Sequence, residues 1–160
     1  MKKNTETAFV IGTGPSLNKI NISKLKNYDC VTFNRAYIAF NDWGFVPRYY
    51  LAIDGNDIRS IYKDINSLVK KHKSTDFFLL DDKDGNEIHP KESFQDCEKK
   101  DLLFDFNQPN LHNLKNICDS IEPNAGFMGV ELLKTLGYKN IGFVGCDCKY
   151  FDDDKYNKDI

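Results

Sequence analysis

The chain has 160 residues, enough for one domain with a real hydrophobic core. Its residues are 41% hydrophobic and 29% charged, a globular balance, and the formal net charge of -2 argues against wholesale nucleic-acid binding, which needs a basic excess. Only three of its 22 basic residues are arginine, so it carries few of the planar forks that read phosphates and bases, although phosphate binding through backbone groups stays open.

In chain order, Ala8-Phe9-Val10-Ile11 is a short apolar run stopped by Gly12-Thr13-Gly14-Pro15-Ser16, which reads as a buried strand delivering a glycine turn. Residues 19–27 suit a short helix with Ile20, Ile22 and Leu25 near one side, capped by Asn18, Asn21 or Ser23. Cys30–Phe33 reads as a second strand ending at Asn34-Arg35, and Tyr49–Ile53 as a third, after the turn-prone 43–47 and before Asp54-Gly55. From Asp57 to about Lys71 the positions Ile58, Ile61, Ile65, Leu68 and Val69 recur at helical steps, with Asp57 as the cap. A fourth strand is expected over 76–80. Residues 81–109 are polar and punctuated by Pro and Gly, which suggests a lid or insertion with a short strand at 102–104. A helix over 110–120, another over 126–136 stopped by Gly137, and a fifth strand over 140–145 complete the series. Strand and helix alternate throughout. The fold class is therefore α/β, a single domain over 1–160 with a mostly parallel sheet of at least five strands and helices on both faces. The first strand is placed in the sheet interior.

No apolar run approaches the roughly 20 residues that span a bilayer. The start, MKKNTETAFVIG, has no apolar stretch ahead of its first glycine, so no secretory signal is expected. Five scattered cysteines suit a reduced, cytoplasmic chain, with the inner membrane face as a second location. Cys146-Asp147-Cys148 lacks the spacing of a zinc site, so no metal is assigned there.

Parallel sheets assemble their sites at the carboxyl ends of the strands. Gly12 and Gly14 let a backbone turn tightly and approach a ligand, and Ser16 adds a hydroxyl. The spacing is neither a dinucleotide fingerprint nor a Walker loop: Leu17 stands where the third glycine belongs, and Pro15 has no N–H. Phosphate contact and a purely structural turn both fit. Asn34 suits a ribose hydroxyl or a base edge, or a turn that bonds its own backbone. Arg35 suits a phosphate clamp or a surface role. Asp54 and Asp57 could hold a divalent ion or supply a base, or close a loop and cap a helix. Asp147, at the end of a strand read as buried, suits a ribose hydroxyl. Asp152–Asp154 reads as a solvated run. His72, His89 and His112 have no local Ser or Cys partner, and no catalytic residue is named. Gly12, Gly14, Ser16, Asn34, Gly126 and Asp147 are expected to converge on one cleft.

Taken together, VIGTGPSLNKINISKLKNYDCVTFN at 10–34 and NAGFMGVELLKTLGYKNIGFVGCD at 124–147 resemble a bacterial glycosyltransferase superfamily, with RYYLAID at 48–54 a looser match. It contains the family 42 oligosaccharide sialyltransferases and the domain-of-unknown-function 115 proteins. The resemblance implies a Rossmann-like, three-layer nucleotide-binding domain with a smaller lid. It places Gly12, Thr13, Gly14, Pro15, Ser16 and Asn34 around a nucleotide-sugar donor. It matches Asn124-Ala125-Gly126 to a Thr-Ser-Gly segment that holds nucleotide, and Gly145-Cys146-Asp147 to a strand-end Gly-x-Asp. The chain departs at Ala125, which lacks the hydroxyl, and at Glu122, where those enzymes carry Arg. Aromatic residues after Asp147 are shifted, with Tyr150 and Tyr156 nearby. These differences point away from CMP-sialic acid and toward the wider group.

The sialyltransferases also carry a histidine after this last strand as general base, and the chain reaches Ile160 without one. Either it is a fragment, truncated at the C-terminus, or a short relative with altered chemistry. The leading expectation is a glycosyltransferase that moves a sugar from a nucleotide donor to a glycan acceptor, with no cofactor and poor transfer by this chain alone. A Mg²⁺-dependent pyrophosphokinase is the enzymatic alternative, because the domain-115 group is similar to archaeal hydroxymethyldihydropterin pyrophosphokinases. Its metal would lie near Asp54 and Asp57. A non-catalytic nucleotide-binding module is the third reading. No nucleic acid and no integral membrane segment is expected, and a homo-oligomer is allowed.

Overall fold

The computed structural model describes residues 6–53, 55–79 and 124–147. Five short strands carry the apolar runs: β1 Thr7–Ile11, β2 Asp29–Phe33, β3 Tyr49–Ala52, β4 Asp76–Leu79 and β5 Asn140–Val144. All pair in parallel in the order β4-β3-β2-β1-β5, so β1 is interior as expected. In register, Ile11 lies opposite Thr32 on one side and Val144 on the other. Side chains alternate between the faces, as a pleated strand requires. Ile11, Cys30, Tyr50, Ala52, Phe77 and Leu79 belong to one core, and Ala8, Val10, Val31, Tyr49 and Leu51 to the other.

Each face has its own cover. The first core packs under Ile61, Ile65 and Val69 of helix α2, Gly55–Lys71, and under Phe40 and Trp43 of the short helix α1, Phe40–Trp43. The second packs under Met128, Leu132 and Leu133 of helix α3, Ala125–Thr135. Gly129 lets α3 settle closely on the sheet: a Cβ there would lie 3.1 Å from Val31. The result is a three-layer, Rossmann-like α/β domain. No described helix is long and apolar enough to cross a membrane.

Three local expectations are corrected and one is met. The helix expected over 19–27 is two 3₁₀ turns, Pro15–Lys19 and Ile22–Asn27, neither held by a side-chain cap. The turn expected over 43–47 is present: a 3₁₀ segment, Asn34–Ala39, leads into α1, which stops at Gly44 with φ +71°. Helix α2 begins at Gly55, so Asp57 lies in its first turn and does not cap it. Strand β5 is not buried. Phe143 is 57% exposed, and among the described residues β5 is a sheet edge. The segments read as a lid over 81–109, a strand at 102–104 and a helix over 110–120 lie outside the described residues.

At the amino ends of the strands, buried Asp29 accepts from the Tyr138 hydroxyl at 2.7 Å. Tyr138 has one proton and spends it on Asp29, so Tyr49 donates to Tyr138 across 3.0 Å. Arg48 lies over the Tyr49 ring, 5.5 Å from its centre. This polar chain ties β2, β3 and the start of β5 together at the end of the sheet away from the strand-end loops.

Candidate functional site

Strand order reverses at β1. From β1 the chain moves to β2, β3 and β4 on one side, and β5 takes the other. Such a switch point is where an open parallel sheet opens a crevice at its carboxyl ends. The sequence places its glycine loop there. The Gly12 amide donates to Val144 O at 2.9 Å, and the Gly14 amide to Gly145 O at 2.8 Å. The Ser16 amide donates to Asp147 Oδ2 at 2.9 Å, and the Ser16 hydroxyl makes a short bond to Asp147 Oδ1. Four donors of the loop after β1 are thus spent on the last residue of β5 and the segment that follows it.

The glycines are explained by this contact. A Cβ on Gly12 would lie 2.3 Å from Gly145 O, and one on Gly14 would lie 2.6 Å from Asp147 Oδ2. Gly145 itself has φ +65° and lies under Leu17, a left-handed turn that glycine adopts without steric cost. The Ser16 hydroxyl, and then its amide, hold the Asp147 carboxyl below its ordinary value, so Asp147 is ionised at neutral pH. Thr13 is exposed and takes no part in these bonds. It lines a cavity beside the loop.

The remaining candidates lie at the end of β2 and at the start of α3. Asn34 follows β2, the neighbour of β1, and is the non-glycine residue at positive φ, +50°, among the described residues. The Tyr50 hydroxyl donates to its carbonyl, and its side-chain Oδ1 is buried. Asparagine tolerates this left-handed geometry better than most residues, yet it remains a conformation that the surroundings must impose. Phe33, one residue earlier, reaches the amino end of α3: a Cβ on Gly126 would lie 3.6 Å from its ring. Asn124 caps α3, its side chain accepting from the amides of Gly126 at 2.9 Å and Phe127 at 3.3 Å. Ala125 is the first residue of the helix.

One candidate faces another element. Arg35 turns toward α2 and donates to Ser60 Oγ at 3.1 Å. Asp54 lies outside the described residues, as do His89, His112, Glu122, Tyr150 and Tyr156. His72 lies at the end of α2, its ring edge-on to Phe40, and burial pushes its imidazole below the usual range. The sequence reading named Gly145 only within the strand-end Gly-x-Asp, and missed its packing under Leu17 and its left-handed backbone. It also missed a cavity beside the loop at Asp42 and Trp43, for which no local pattern exists.

A solved structure shares this fold. The sialyltransferase CstII from Campylobacter jejuni, determined with the substrate analogue cytidine-5'-monophosphate, superposes with a TM-score of 0.53 at 20% identity, over 89% of this chain and 68% of that one. At that identity the likeness is one of fold. No curated protein matches the chain. A family model described as 6-hydroxymethylpterin diphosphokinase MptE-like matches residues 1–153. The superfamily resemblance therefore holds at the breadth that joins diphosphokinase-like and sialyltransferase-like folds, and not as a specific sialyltransferase. With nearly its whole length matched, the chain belongs to the MptE-like family.

Proposed function

We propose that this chain is a diphosphokinase-type transferase, which binds a nucleoside triphosphate over the β1–β5 switch point and moves a diphosphoryl group onto the hydroxymethyl group of a pterin. The observation that carries this reading is the family match over residues 1–153, read on a sheet whose strand order reverses at the glycine loop. In the reaction the acceptor oxygen forms a bond to the β-phosphorus. The bond from that phosphorus to the α-phosphate oxygen breaks, nucleoside monophosphate leaves, and the hydroxymethyl proton is released. Chemistry of this kind depends on positioning and on charge stabilisation more than on covalent participation by the protein.

The residues have distinct parts in it. Thr13 offers an amide and a hydroxyl to a phosphate oxygen. Ser16 spends its amide and hydroxyl on the Asp147 carboxylate, and the pair fixes the loop that carries Thr13. Asn34, at the next strand end, is suited to a ribose hydroxyl or base edge. The triphosphate enters as its Mg²⁺ complex, and the metal supplies charge neutralisation on the phosphate oxygens. Among the described residues no three His, Cys, Asp or Glu side chains cluster as a metal cage. An ion that arrives on the triphosphate is held by phosphates, water and one or two carboxylates. Asp147 is one such carboxylate at a strand end, and Asp54 and Asp57 are the candidates named from sequence.

The test is direct. The chain is mixed with Mg·ATP and 6-hydroxymethyl-7,8-dihydropterin and followed by phosphorus NMR. The expected products are AMP and the pterin diphosphate, and ADP, inorganic phosphate alone or no reaction overturns the reading. The likeness to CstII favours sugar transfer from a nucleotide donor as a second reading. A parallel arm with CMP-, UDP- and GDP-sugars and a glycan acceptor decides between them, since sugar transfer without pterin diphosphate would favour the second.

A further inference from the structure

Beside the glycine loop, on the α2 side of the sheet, lies a cavity of about 390 Å³. Thr13, Gly14 and Pro15 form one wall, so it shares a border with the switch point. Leu17, Ile22 and Trp43 give it apolar surfaces, and exposed Asn18 and Asp42 stand at its rim. Among the described residues no Lys, Arg or His lines it, and the charged side chain there is the Asp42 carboxylate. Such a lining repels phosphate and suits the uncharged part of a substrate. Its volume lies within the range of small-molecule sites, which are mostly apolar with a few placed polar groups.

We infer that this cavity seats the heterocycle of the acceptor: a flat, neutral ring with a 2-amino-4-oxo-pyrimidine edge, that edge on Asp42 and its hydroxymethyl arm toward Thr13. The inference rests on the diphosphokinase reading and extends it to the acceptor's place. The chemistry comes from the rim. A carboxylate accepts only, and it accepts best from two parallel N–H groups. The ring N–H and the exocyclic amine of a pterin present that pair side by side. Adenine does not, because its ring nitrogen beside the amine is itself an acceptor, which keeps the donor base of ATP out of this pocket. Guanine carries the same edge as a pterin. Position separates the two roles further: a ring here lies against the outward-facing side of the loop, within reach of phosphates bound over it.

Equilibrium binding of 6-hydroxymethylpterin, ATP and GMP is measured separately on the full chain and on two variants, Asp42→Asn and Ile20→Trp. Ile20 also lines the cavity and is 43% exposed, so a larger side chain can fill the mouth without entering the core. Loss of a charge-assisted bidentate contact predicts pterin binding weakened by about tenfold or more in Asp42→Asn, with ATP affinity within about twofold. Ile20→Trp is expected to weaken pterin to a similar degree and to leave ATP alone, which shows that both variants remain folded. If the wild-type chain binds pterin and both variants bind it equally well, the cavity assignment is wrong while the diphosphokinase reading stands. If the wild-type chain binds no pterin, that reading fails and the assignment falls with it. GMP binding that Asp42→Asn abolishes would then place a guanine base in the cavity and overturn the acceptor assignment.

Discussion

A Cβ at Gly12 would meet the backbone carbonyl of Gly145, and a backbone atom in a paired strand end cannot swing aside as a side-chain tip can. Gly12→Ala is therefore expected to destabilise the chain by roughly 1–3 kcal/mol, the usual range for forced overpacking, read as a lower urea midpoint. The Ser16–Asp147 pair makes a different prediction, in pH. Folding lowers the Asp147 carboxyl below its ordinary 3.8, so the folded state favours the ionised form. That stabilisation is complete above the ordinary value and is lost as pH falls through the lowered, folded one. Ser16→Ala is expected to unfold more easily than wild type at neutral pH. The gap between the two should narrow in acid, below about pH 4. A gap that is constant from pH 7 down to pH 2 would show that Asp147 is not the partner that matters.

Helix α3 depends on its first turn. Asn124 satisfies two amides that have no partner within the helix, and replacing it by Ala is expected to cost about 1 kcal/mol of stability in chemical denaturation. Asn124→Asp keeps an accepting oxygen and should recover most of that loss. Helices α2 and α3 were legible in the sequence because amphipathic spacing is a local signal, and so were all five strands, as apolar runs bounded by turn residues. The 3₁₀ turns were not. Pro15, Asn18 and Asn21 interrupt the 3.6-residue pattern without declaring what replaces it, and no capping residue marks a start. The exposure of β5 was equally hidden. Ile141, Phe143 and Val144 look like a buried strand, but burial is set by what lies beside a strand, and that is tertiary information. The candidate site was legible in part. Polar and glycine-containing strand ends announced where it would lie, whereas the bonds that consume the loop's donors join residues far apart in sequence and leave no periodic trace.

Across the molecule the two ends of the sheet have separate duties. The amino ends hold the Asp29–Tyr138–Tyr49 chain, in which burial, and then the bonds to Tyr49 and Asp29, push the Tyr138 phenol well above its usual range. Tyr138→Phe removes one donor and leaves a buried carboxylate short of a bond. A loss of about 1–3 kcal/mol in stability is expected, with nucleotide affinity unchanged, checked by urea denaturation and calorimetric titration. A parallel fall in affinity would show that the two ends are coupled. The carboxyl ends carry a further consequence, in time. Ser16 and Asp147 are 131 positions apart. Strand β1 leaves the ribosome before β5, and the partner that shapes its loop is made 131 positions later. At ordinary translation rates the interval is roughly 7–25 s. Throughout it the loop after β1 lacks the Val144, Gly145 and Asp147 acceptors that hold it in the folded chain.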